Sequence, residues 1–176
     1  EAQRVAATKA LNEIPSARVD ALVKEDIIRL PDGSSFNLQN GRASRDIAKK
    51  EGRLIENASV RDVEAGKSYN FTITEDGKLT LGQFNNNAEI GVKHLLLADE
   101  RGVKAVGEIT RMPDSSLKFN LQSGTFTLQQ KALLNVQEED IAKAVQQLLA
   151  SQSKTPVKYA DEVLSPVKTR ITETEI

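Results

Sequence analysis

The chain contains no cysteine, which excludes disulfides and thiolate-ligated metal outright. That absence suits a cytoplasmic protein and equally one exported without oxidative folding. Tryptophan is also missing, and aromatic residues make up only 4% of the 176 positions, thin for stacking sugars or nucleobases. No apolar run approaches the ~20 residues that span a bilayer. Charge of neither sign is in excess. The 24 basic side chains nearly match the 25 acidic ones, so no global field draws nucleic acid or an anionic membrane. A single histidine, His94, leaves only carboxylates for a metal, and no D-x-D-x-D-G loop is present. The G-x-G-x-x-G and P-loop patterns are absent as well, so neither metal nor cofactor is expected. The first residue is Glu1 rather than Met, and no signal-peptide pattern follows, as expected of a processed or excised piece of something longer.

What is there reads as one α+β domain with flanking segments. Residues 1–13 are Ala-rich and predict a helix, with Pro15 interrupting and Ser16 as N-cap of a second helix carrying Val19, Leu22 and Val23. Residues 1–26 are therefore a helical segment. Residues 27–39 place two apolar runs around Pro31-Asp32-Gly33 and predict a hairpin. The same pattern returns later: I-T-R-M-P-D-S-S-L-K-F-N-L-Q-S-G at 109–124 echoes I-I-R-L-P-D-G-S-S-F-N-L-Q-N-G at 27–41, with one added residue. Two similar hairpins are expected, placed side by side in one sheet. Between them, Arg42, Arg45, Lys49 and Arg53 fall near helical spacing. They could form a phosphate-binding face, but a solvated short helix ending at Gly52 is the favoured reading.

In Y-N-F-T-I-T, Tyr69, Phe71 and Ile73 alternate with polar residues, and Asp76-Gly77 predicts a two-residue hairpin turn between strands at 69–75 and 78–82. Residues 83–89 form a polar loop, with strands expected around 94–97 and 104–110. Asp99, Glu100 and Arg101 decorate a turn ending at Gly102. Asn135 is the expected N-cap of the final helix, with Glu138 completing a capping box. Ile141, Ala144, Val145, Leu148 and Leu149 make one apolar stripe that should dock on the sheet. The prediction is an antiparallel, meander-like sheet of about six strands within residues 27–150, with this helix on one face. Residues 151–176 lose periodicity and read as a linker or loosely attached tail.

The segments T-E-D-G-K-L-T-L-G (74–82), K-H-L-L-L-A (93–98), V-K-A-V-G-E-I (103–109) and S-G-T-F (123–126) stand in an order that resembles a known domain. It is similar to segments of bacterial polymorphic toxins and effectors, some giant-virus proteins, and plant IQ-motif calmodulin-binding proteins. Their shared pattern runs H-x-x-L, V-x-A-A-G-E, S-G-H-Y. The likeness spans residues 69–149. Thr125 and Phe126 replace the histidine and tyrosine of S-G-H-Y, so a chemistry needing two histidines would lack one proton-transfer group here.

His94, Glu108 and Ser123 are the candidate catalytic residues, as a base, its orienting carboxylate and a nearby hydroxyl. Gly107, Gly124 and Thr125 are candidate ligand-binding positions beside them. Set against this is the structural role. A lone histidine caps a strand end, Glu108 satisfies backbone donors, and Ser123-Gly124 builds a turn. The second account is favoured. The leading expectation is a non-catalytic binding or accessory domain of a larger bacterial toxin- or effector-like protein, secreted or delivered to a target cell. Its partners would be a protein or adjacent domains, with no nucleic acid and no membrane span. A hydrolase or transferase using His94, Glu108 and Ser123 is the alternative, and a structural spacer the third.

Overall fold

The computed structural model describes residues 2–16, 27–29, 35–83, 97, 102–122 and 137–160. In chain order the elements are α1 (Ala2–Asn12), β1 (Ile27–Arg29), β2 (Ser35–Asn37), α2 (Leu38–Lys50), β3 (Leu54–Ala58), β4 (Ser68–Thr74), β5 (Leu79–Gln83), β6 (Val103–Arg111), β7 (Leu117–Phe119), α3 (Glu138–Gln152) and β8 (Val157–Tyr159). A 3₁₀ turn at Val60–Asp62 follows β3. The class is α+β, and the main sheet has six strands in the order β3-β5-β4-β6-β7-β8.

That sheet is mixed, which corrects the expectation of an antiparallel meander. β8 pairs with β7 in parallel, Leu117 opposite Val157 and Phe119 opposite Tyr159. A parallel partner needs a crossover, and α3 supplies it. The stretch 151–160, expected as part of a linker or loose tail, thus ends the helix and adds a strand.

The central hairpin forms where the alternation placed it, from β4 to β5. Its turn differs in kind. Gly77 takes a left-handed φ of 80° while Asp76 does not, so this is not the two-residue turn that needs positive φ twice. Thr74 N–H donates to Lys78 O, and Gly77 N–H donates to Thr74 O, each at 2.9 Å. This is a type I turn followed by a glycine bulge.

The two echoed hairpins share one register. Arg29 faces Ser35 and Arg111 faces Leu117, the same six-residue offset. They do not share a sheet: β1 and β2 form a separate two-stranded unit. In the second hairpin Ser115 occupies the left-handed position, at φ 73°, and donates its N–H to Met112 O at 2.9 Å.

The core lies on one side of the six-stranded sheet. Tyr69, Phe71, Ile73, Leu79, Leu81, Ile109 and Phe119 share it with Ile141, Val145, Leu148 and Leu149 of α3 and with Ala7 and Leu11 of α1. Phe119 anchors it, edge-on to Phe71 at 6.4 Å and tilted against Tyr159 at 5.5 Å. Side chains of this size each contribute on the order of 2–3 kcal/mol by burial. The N-cap of α3 stands two residues past the expected Asn135, which lies outside the described residues. Gln137 is its N-cap and makes no side-chain capping bond, so the predicted Asn135–Glu138 box is not what starts it. Three acidic residues in its first turn still complement the helix dipole.

The opposite side of the sheet is covered too. Ala48 of α2, Leu54 of β3 and Leu97 pack together there, all buried. Leu97 is the one described residue of the strand expected at 94–97, and it is helical. α2 ends as its sequence directs. Gly52 turns left-handed at φ 78°, Gly52 N–H reaches Lys49 O, and Arg53 N–H reaches Ala48 O at 2.8 Å, a Schellman closure.

Candidate functional site

Strand register decides what surrounds Glu108. Leu54 faces Gly82, Gly82 faces Asn70, and Asn70 faces Glu108 across β3, β5, β4 and β6. Asn120, just past β7, closes the row, its N–H donating to Glu108 O at 2.9 Å. These side chains point away from the aromatic core, yet Asn70, Glu108 and Asn120 are all buried. A β-strand sends alternate side chains to opposite faces, so burying both faces of β4 and β6 draws their polar residues inside with the apolar ones.

Burial on that scale requires hydrogen-bond partners. Asn120 supplies them in both directions. Its Nδ2 donates to Glu108 Oε1 at 2.9 Å, and its Oδ1 accepts Glu108 N–H at 2.9 Å and Gln122 N–H at 3.0 Å. Glu108 and Asn120 are each 0% exposed. The carboxylate is therefore enclosed in the protein interior, clamped to the chain that leaves β7.

Gly107 has an equally local reason. A Cβ built there would lie 1.9 Å from Asn120 O and 2.8 Å from its carbonyl carbon. Close backbone approach of the chain after β7 demands glycine, whatever else the position does. His94, Ser123, Gly124 and Thr125 lie outside the described residues, and of the six predicted positions Glu108 and Gly107 are the two described. Asn120 was not among them. Its signal was the repeated F-N-L-Q, at 36–39 and 119–122, which the hairpin echo contained.

The basic face at 42–53 is largely neutralised from within. Arg45 is buried and pairs with Glu56 at 2.7 Å, and Lys49 approaches the same oxygen at 3.4 Å. The Arg45 guanidinium holds the Glu56 carboxyl below its ordinary range, against a smaller opposing effect of burial. Arg53 pairs with Glu51 and donates to Gln83 O at 3.2 Å. Among the described residues, no group of three His, Cys, Asp or Glu side chains is placed to hold a metal, and no helix is long and apolar enough to cross a membrane.

A groove of about 740 Å³ runs between α1 and α3. Ala6, Ala10, Ile14 and Ala144 provide apolar wall, while Lys9, Glu13, Asp140 and Lys143 put both charge signs on its rim. Comparison with known proteins adds no anchor: no family model, no curated protein and no solved structure matches this chain.

Proposed function

We propose that the chain is a non-catalytic binding or accessory domain and that, as the resemblance implies, it serves a larger toxin- or effector-like protein of bacterial type. The observation that supports this reading is the state of Glu108. Fully buried and bonded through side chain and main chain to Asn120, this carboxylate has a structural task in the fold that calls for no catalytic base. It acts as a fastener between β6 and the segment after β7. The groove between α1 and α3 suits a polypeptide partner or a neighbouring domain. Its apolar wall and mixed rim offer side-chain pockets and ion pairs without the net positive charge that a nucleic acid requires.

The test is growth of bacteria expressing the chain, wild type against His94→Gln and Ser123→Ala, with circular dichroism checking the fold. The expected result is that neither substitution changes the effect on growth, because a binding domain needs no proton transfer at these positions. A folded His94→Gln variant that abolishes growth inhibition shown by the wild type would overturn the proposal. A general base lost in that way costs roughly 10²–10⁴-fold in rate.

A further inference from the structure

A pocket of about 450 Å³ opens between the 3₁₀ turn and the exit from α3. Three cationic side chains line it, Arg61, Arg111 and Lys154, and among the described residues no carboxylate does. The geometry points to an oxyanion site, one that takes a phosphate group. It is independent of the partner groove, which lies on other residues.

Arg111 is the fixed member. Its Nε donates to Val63 O at 2.8 Å, Nη1 to Ser115 O at 2.7 Å and Nη2 to Val60 O at 2.8 Å. These three carbonyls hold the guanidinium in place without cancelling its charge, and two of its five N–H groups remain for another acceptor. Arg61 and Lys154 form no ion pair among the described residues. Asp62, beside Arg61, is engaged in the capping box, its Oδ2 accepting Ser59 N–H at 2.8 Å. Lys154 follows the C-terminus of α3, where the helix dipole already favours a cation; that dipole accounts for neither arginine.

Neutral donors complete the lining. Gln152 Oε1 accepts Val60 N–H at 3.2 Å, which leaves its amide N–H groups available as donors. Thr155 contributes a hydroxyl at the same wall. Two flexible cations, one rigid guanidinium and an amide surround a space that holds a phosphate group comfortably, and charge-assisted bonds of this kind are the strong ones.

The experiment is an NMR titration of the full chain at low salt with inorganic phosphate, glycerol phosphate, and sodium chloride at matched ionic strength. Saturable shifts confined to amides of residues 59–61 and 152–155 are expected with phosphate and not with chloride. The double substitution Arg61→Gln, Lys154→Gln should weaken phosphate binding roughly tenfold or more while leaving the thermal midpoint unchanged. Arg111 stays intact, since it holds the main chain. Equal binding of glycerol phosphate assigns the pocket to phosphomonoesters, and binding of inorganic phosphate alone assigns it to the free anion. Shifts that chloride reproduces, or saturable binding that the double variant retains in full, would overturn the site.

Discussion

Truncating Asn120 to alanine removes one side chain and strands several buried groups at once. Glu108 Oε1 loses its 2.9 Å donor, Glu108 N–H loses its 2.9 Å acceptor, and Gln122 N–H loses a third contact at 3.0 Å. A bond to a carboxylate contributes about 1.5–3 kcal/mol, and a buried N–H left unsatisfied costs about 1–3 kcal/mol. Allowing for partial rehydration of Gln122, which is only part-buried, the expected loss is roughly 3–5 kcal/mol. Against the ~5–15 kcal/mol that holds a domain folded, this is a large share. With a urea slope of about 2 kcal/mol per molar, the unfolding midpoint should fall by about 2 M. Adding Glu108→Ala to Asn120→Ala should then cost much less than Glu108→Ala alone, because the pair is already broken. Thr72→Val is the control. Its hydroxyl is 0% exposed and has no hydrogen-bond partner among the described residues, so its removal should be neutral or stabilise by up to ~1 kcal/mol. A midpoint for Asn120→Ala within about 0.5 kcal/mol of wild type would refute the view that this polar row fastens β7 to β6.

Two further substitutions probe the backbone itself. Gly107→Ala should cost about 3 kcal/mol or more in the same urea assay, because the new methyl meets the main-chain carbonyl of Asn120 at 1.9 Å and cannot be relieved by a rotamer change. Ser115→Gly should stabilise by up to about 1 kcal/mol in thermal unfolding, since Ser115 holds a left-handed φ that glycine adopts without strain. Position 33, its counterpart in the first hairpin echo, is already glycine.

Local chemistry and periodicity were sufficient for the elements that depend on near neighbours. The alternation in 69–73 and the glycine at 77 specify the β4–β5 hairpin, because side-chain period and a left-handed turn position are properties of a few adjacent residues. The same holds for the stripe from Ile141 to Leu149, whose spacing defines a helical face, and for Gly52 as a helix stop. The repeated x-R-x-P-D pattern likewise carried a common hairpin register, although the turn at 76–77 took its glycine bulge from the bonding of Thr74 with Lys78, which residue type alone does not select.

What tertiary structure decided was everything that depends on contacts far apart in the chain. Alternation in Y-N-F-T-I-T marks one apolar and one polar face; only packing on both sides of the sheet makes Asn70, Thr72 and Glu108 interior residues. Once they are inside, desolvation requires internal partners, and Asn120 becomes a structural fastener across a separation no local pattern encodes. β8 is the same kind of case. Three residues beside a proline carry too little periodicity to announce a strand, and Val157–Tyr159 becomes one because α3 delivers it to the open edge of β7, where its backbone groups find partners.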